Sequence, residues 1–445
     1  MSITNHIKEH SKLGLPFPGG GNSTLITVGN GGMYSTLEAA VTAIEGMTRI
    51  TELASFTGSI TGAGTPATVD VRYLDADSGT PLSGHEGKVV AVTVAGSIYF
   101  MAQVSTSSRL NLFYPAPHDV TSQTVTISSV IPACIFLLPG TNLTITSAVQ
   151  LPKFTTLYGI RDTCSITFAA AGASLDCITS GDATEIYIEG VNLYGYNKLT
   201  NPAVSNSCIL YFPASGISGW QMHTNFGIAN LSMFAGHNDG VLFNSSANTS
   251  IGSTLIAGGF HIHNCFLNGF YDVVRGVSHR LLSVNSSYII SKCQTSLDTS
   301  AACVALGSPT SADNYMSQNL IFSDNILESY MIGPGGSGYI SPIDIRNVLS
   351  SNAKVIVRGN TIRARRYAAD TTNAYGVVVT NATGANTPYI ECLANTFDVS
   401  IIGAGGAANT MHSVNAAYAI QRAGNSVVTG SSATLGSNTA AMTTY

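Results

Sequence analysis

The chain has 445 residues, a formal net charge of -5 and 10% charged residues, far below the quarter usual in soluble proteins. This balance argues against a nucleic-acid partner, which needs a basic footprint, and no apolar run is long enough to insert in a bilayer. Ser, Thr, Gly, Asn and Ala fill the gaps between short apolar phrases, which suits strands joined by turns.

Residues 1–27 form a polar arm that includes Pro16-Phe17-Pro18-Gly19-Gly20-Gly21. It lacks the apolar core of a signal peptide, so the protein is expected to be made in a cytoplasm without one. Two readings of the arm stay open: a disordered tail, or an arm that orders on docking to a larger assembly. Residues 28–45 follow as cap strand and helix. Ser35 and Glu38 have capping-box spacing, and Leu37, Ala40, Val41 and Ile44 fall on one helical face. Such a helix would cover the open end of a stacked structure. Residues 46–128 read as a small β insert. Val89 to Val94 and Ile98 to Val104 flank Ala95-Gly96-Ser97 as a hairpin, with further strands at 69–74 and 110–114.

From 129 to 430 a phrase recurs: apolar-x-apolar, a three-residue step, then x-apolar. Ile135 to Gly140 opens the stack, and Leu143-Thr144-Ile145 and Thr156 to Gly159 are early turns of it. Eight later phrases have their origins at 191, 231, 265, 293, 325, 360, 395 and 425, spaced by 40, 34, 28, 32, 35, 35 and 30. A unit too small to bury its own face implies a solenoid. Alternation within each phrase implies strands, so each unit is expected to be one rung of a parallel β-helix. A leucine-rich repeat is the rival, but no L-x-x-L-x-L phrase recurs. The tail, 431–445, is rich in Ser, Thr and Ala.

The origin is Asn325, Asn360, Asn395 and Asn425 in the last four units. Asn tolerates left-handed backbone and bonds locally in turns, so it suits the corner between two strands, and stacked Asn side chains can bond each other along the column. Arg422 at an inward position would mark the end of the stack. Eight cysteines lie among strands without C-x-x-C pairing, the pattern of small reduced core residues rather than a zinc site.

The position three after the origin should point outward. It carries Tyr194, Phe234, Asn268, Ser296, Glu328, Arg363, Asp398 and Val428. Glu328 and Asp398 would lie roughly 9.6 Å apart, two strand spacings, with Arg363 between them. A cation filling the gap where water would attack reads as an exposed ion-pair column rather than a glycosidase pair. His261 and His263 alternate on one strand face without a third ligand, so no metal and no cofactor are expected. The loop from Asn197 to Asn225 carries Trp220, the one tryptophan, with His223 and the preceding Tyr211. Aromatic faces of this kind suit sugar rings, and the other reading is packing against the stack or another protomer. A second loop, residues 333–339, is Gly-rich.

Gly31-Gly32-Met33-Tyr34-Ser35-Thr36-Leu37-Glu38-Ala39-Ala40 as cap entry, Phe136-Leu137-Leu138-Pro139-Gly140-Thr141 as first rung, and the Asn-cornered rungs together resemble the pectate-lyase-like superfamily of right-handed β-helices, and within it bacteriophage tailspike and tail-fibre proteins. The resemblance implies an all-β, right-handed parallel β-helix. It also implies a homotrimer in a virion, joined to other tail or baseplate proteins through the N-terminal arm, that binds a host surface glycan and in some members cleaves it. The sites of its enzymes are not matched. Gly236-His237-Asn238-Asp239-Gly240 lacks the second carboxylate of a polygalacturonase, and the Arg-x-Pro-x-x-Arg of pectate lyases is missing. Receptor binding through Tyr194, Tyr211, Trp220, His223 and Phe234 is the first expectation. A polysaccharide hydrolase or lyase is the alternative, with Asp239, Asp272, Asp298, Asp313 and Asp344 as candidate acids. A purely structural fibre or adaptor is the third.

Overall fold

In the computed structural model the residues described are 23–444, apart from 65–70, 97, 114–115, 117–118, 169–177, 180–184, 196–207, 214–224, 237–238, 245–256, 271, 277–278, 294–299, 307–316, 332–338, 347–348, 368–372, 381–388, 402–407, 414–418 and 429–441. The arm up to residue 22, Trp220, His223, Ser296, Asp298, Asp313, nearly all of the Gly-rich segment 333–339 and most of the tail lie outside them, as do the side chains of Tyr211 and Arg422.

The chain coils into a parallel β-helix of three sheets. The first sheet has 12 strands, from Thr24–Val28 and Ala133–Leu137 through Ser317–Ser323, Leu349–Arg358 and Tyr389–Leu393 to Met442–Thr444. Among the described residues the second has 10, from Asn142–Ile145 to Ser426–Val427, and the third also has 10, from Val149–Gln150 onward, with Ala408–Ser413 pairing off its main path. Each circuit visits the first, second and third sheets in turn. Leu320, Val355 and Ile390 stand in register on successive strands and are fully buried. One continuous core runs the length of the stack, because a period-two strand repeated in register sends the same face inward at every level. Thr24–Val28, which the sequence pattern leaves in the arm, is the first strand of this stack.

Two features of the repeat differ from the pattern read in the sequence. Each rung from Ala133 to Ser413 has a third strand, which the phrase omits because the segment before it varies in length. The fourth phrase is also displaced. Tyr288-Ile289-Ile290 belongs to the second sheet, paired with Phe266 to Asn268 and with Ile326 to Glu328. The first-sheet strand of that rung is His279–Asn285, with Leu282 and Val284 inward. Its corner is therefore Ser287, and the intervals from 265 and to 325 become 22 and 38 by subtraction. The displacement arises because Tyr288 and Ile290 are apolar on the outer face too.

Corner geometry differs as well. The left-handed residue is the one before the origin: Asn230, Asn264, Ser286, Asp324 and Ala394 have φ of 51 to 56°, and Gly190, Gly359 and Gly424 have 64 to 68°. At 359 glycine suits the left-handed backbone, and any Cβ there would stand 2.5 Å from the Asp324 carboxylate, which would have to move aside. The Asn side chains, relieved of turning the chain, fill the buried corner. Asn325 N and Nδ2 both donate to Oδ1 of Asn360, which does the same to Asn395, and that to Asn425, at 2.8–3.0 Å. Each Nδ2 also donates to a strand carbonyl one rung back: Val284, Phe322, Val357 and Cys392. Ser287 extends the column, accepting from Cys265 N and donating its own N–H to Asn325 Oδ1.

The cap helix spans Leu37–Glu45 and buries Leu37, Ala40, Val41 and Ile44 on the end of the core. Its N-cap is Thr36, whose hydroxyl accepts from Ala39 N, rather than Ser35. The β insert is a closed antiparallel barrel of Ile50–Ile60, Tyr73–Ala76, Arg109–Leu112, Ile98–Thr106, Val89–Val94 and Val120–Val130 in that order. Closure removes its free edges. The hairpin turns through Ala95 and Gly96, both left-handed, in the short loop that joins Val94 to its partner Ile98. Where the chain leaves and re-enters the stack, buried Arg49 donates to the carbonyls of Ile131, Lys153 and Phe154. Cys134, Cys164, Cys265, Cys303 and Cys392 are buried free thiols, and burial pushes Cys134, Cys265 and Cys303 up to about 12.

Asn360→Ala should destabilise the protein by about 3 kcal/mol, because it strips buried partners from Asn325 N and Phe322 O together. Asn425→Ala, at the partly buried end of the column, should cost clearly less. Urea unfolding followed by circular dichroism checks both.

Candidate functional site

On every second-sheet strand the residues flanking the inward one point away from the core. Their columns follow the register, and two of them carry a run of aromatic rings. Tyr194 stacks on Phe234 at 5.2 Å and 11°, Phe234 meets Phe266 at 5.4 Å, and Phe266 meets Tyr288 edge-on at 5.4 Å. Each ring sits one rung from the last. Tyr194 is 39% exposed and the others are partly exposed. The run exists because the parallel register piles position upon position at about 4.8 Å, so aromatic residues in neighbouring rungs are forced into contact.

The run ends in a charged cluster. Tyr288 and Tyr330 both donate their hydroxyls to Glu328 Oε2, at 3.1 and 2.5 Å. Arg363, one rung on, donates to Glu328 Oε1 and, through Nε at 3.0 Å, to Asp398 Oδ2. Arg365 Nη2 reaches the same oxygen at 2.5 Å, and Tyr367 stacks on Tyr330 at 6.4 Å. Glu328, Arg363 and Asp398 thus occupy one column. They are not the exposed ion pairs that the pattern implies. Glu328 is 5% and Asp398 4% exposed, because the tyrosine rings and guanidinium groups close over them. Burial drives Asp398 toward the neutral form, but hydrogen bonds and charge from Arg365 and Arg363 outweigh it and hold this carboxyl below its usual range. Burial, then the bond to Glu328, pushes Tyr330 up to about 12. Asp398, so held, stays ionised at neutral pH.

Of the residues singled out in the sequence, Tyr194 and Phe234 come together here. Tyr211 lies on Cys208–Pro213, in the third sheet. Phe266, Tyr288, Tyr330, Arg365 and Tyr367 join the surface without having been singled out. Phe266 and Tyr288 stand one residue after their corners, Tyr330 and Arg365 five after theirs and Tyr367 seven after its own, and the displaced fourth phrase hid the place of Tyr288. Asp239 and Asp272 are neighbours in register on the third sheet, and Asp344 on that sheet accepts from Tyr339 at 2.9 and 3.1 Å, so these acids share no surface with Glu328 and Asp398. His261 and His263 lie on the outer side of the first sheet, where burial lowers His261. Arg366 turns inward and is fully buried. Among the described residues no three His, Cys, Asp or Glu side chains are grouped to hold a metal, and no helix is long and apolar enough to cross a membrane.

No family model matches the chain, and no curated protein matches it. Among solved structures it is similar to the tailspike protein gp49 from Pseudomonas phage LKA1, at 9% identity and a TM-score of 0.36, over 85% of this chain and 62% of that one. The chain therefore spans less than two thirds of that tailspike's length. It is also similar to the catalytic unit of the GH87 alpha-1,3-glucanase from Streptomyces thermodiastaticus strain HF3-3, at 9% identity and 0.28 over 87% of each chain. The catalytic domain of a GH87 alpha-1,3-glucanase in complex with nigerose follows, at 11% and 0.22 over 84% of this chain and 98% of that one. The assignment of the fold rests on the chain's own parallel sheets.

Because the folded state holds Asp398 below its unfolded value, the stability this carboxylate contributes is present above about pH 4 and is lost as pH falls through the folded value. The melting temperature of the wild type should therefore drop more steeply between pH 6 and about pH 3 than that of Asp398→Asn. Thermal melts across that range read the difference.

Proposed function

We propose that the protein is a virion spike or tail-fibre subunit that binds a bacterial surface polysaccharide along the outer face of its second sheet. The observation that carries this reading is the unbroken aromatic run Tyr194–Phe234–Phe266–Tyr288. It continues past Glu328 to Tyr330 and Tyr367, over six rungs, or roughly 24 Å at the strand spacing. Sugar rings present apolar C–H faces with polar rims, and partly exposed rings on a rigid sheet offer matching faces at little entropic cost. A polymer of such rings is served better by a strip than by an enclosed pocket.

Three features of the proposal draw on the sequence resemblance: the virion, a homotrimer, and docking of the N-terminal arm to other tail proteins. Binding is favoured over cleavage at this face because both carboxylates are consumed. Glu328 accepts from two tyrosines and Arg363, and Asp398 from two arginines, so neither is placed to exchange a proton with a glycosidic oxygen.

Surface plasmon resonance against a panel of bacterial capsular polysaccharides and lipopolysaccharides tests the reading. Phe234→Ala should weaken binding to the recognised glycan about tenfold, near 1.4 kcal/mol, with the melting temperature little changed. Undiminished binding by the Tyr194→Ala, Phe234→Ala double variant would overturn the assignment to this face, and new reducing ends or double bonds in the bound glycan would replace binding with depolymerisation.

A further inference from the structure

We infer that the charged end of this face selects a carboxylate-bearing sugar, such as a uronic acid unit, within the polysaccharide. The inference rests on the proposal that the face binds a glycan. Lys292, Tyr330 and Arg365 are partners in register on three successive second-sheet strands, all on the outward-pointing side. Tyr367, 42% exposed, lies beside Tyr330 with the ring planes 21° apart. The result is a two-ring platform with a cation on either side of its middle rung.

The charge count is uneven. Lys292, Arg363 and Arg365 give three positive charges against Glu328 and Asp398, so 3 - 2 leaves one in excess, in a chain whose net charge is -5. Arg363 is spent between the two carboxylates. Arg365 is tied to Asp398 through Nη2 and to the Tyr367 hydroxyl, but a guanidinium has five N–H donors in a rigid fork. Its side chain remains 36% exposed, with donors left for a ligand. Lys292 has no carboxylate partner among the described residues, and its ammonium sits on a long flexible stem.

Lys292 and Arg365 stand two rungs apart, roughly 9.6 Å along the stack, with Tyr330 midway. A sugar ring laid over Tyr330 would carry a carboxylate on its rim, not against the electron-rich ring face, which repels anions. From the rim one cation or the other is within reach. A neutral sugar in the same place would leave these cations unused, whereas a carboxylate makes charge-assisted bonds with them. The buried Glu328 and Asp398 do not oppose this, because their charge is already met by Arg363 and Arg365.

The test uses the full chain and immobilised uronate-containing and neutral bacterial capsular polysaccharides, each uronate polymer also prepared with its carboxylates reduced to alcohols. Binding to a uronate polymer is expected, weakened at least tenfold by carboxyl reduction. Lys292→Gln should weaken the same binding several-fold and flatten its salt dependence, with an unchanged melting curve. Equal binding of the reduced polymer, or no effect of Lys292→Gln, would overturn the inference while leaving the glycan-binding face intact. Phe234→Ala would still weaken binding in that case. Silence across the whole panel would overturn both.

Discussion

The later rungs depend on keeping one corner dry and hydrogen-bonded. Where the first sheet turns into the second, the backbone leaves the strand ladder and exposes N–H and C=O groups to the core, where water cannot serve them. Asn325, Asn360 and Asn395 answer this with a side chain that accepts from the rung before it and donates both to that rung and to the next Asn, the last of which is Asn425. Because each amide is engaged on both sides, the rungs are locked in register. Without that lock, a slip by one residue would turn every inward residue outward.

Register also organises the outer face of the second sheet. Parallel in-register stacking converts a property of single positions into a property of columns. Tyr194 and Phe234 are 40 residues apart in sequence but 5.2 Å apart as rings. Glu328, Arg363 and Asp398, each 35 residues from the next, become one hydrogen-bonded chain of charge. The same rigidity fixes the electrostatics: arginines on a neighbouring rung hold the Asp398 carboxyl below its usual range.

The barrel is a separate solution to a separate problem. It has its own core around Leu74, Val92, Leu110 and Ile127, and it leaves the stack between the first two strands of the first sheet. Arg49 binds carbonyls just ahead of the returning strand Ala133–Leu137 and of its neighbour Thr155–Tyr158, which ties the insertion to the stack where Thr24–Val28 pairs with Ala133–Leu137. Closing the insert on itself spares the protein an exposed sheet edge beside the first rung.

Much of this was legible in the sequence. The recurring apolar phrase announced stacked strands, Leu37, Ala40, Val41 and Ile44 announced the cap, and the spacing of Glu328, Arg363 and Asp398 announced a column, because alternation and period are local properties of the chain. The third sheet was not legible, since its strands follow segments of unequal length, and the corner at Ser287 was misplaced because Tyr288 and Ile290 are as apolar outside as Ile289 is inside. Nor could the sequence tell that the left-handed residues precede the asparagines, or that tyrosine rings and guanidinium groups would bury the two carboxylates. Burial of a polar group is decided by neighbours on other rungs, and those neighbours exist only once the coil has closed.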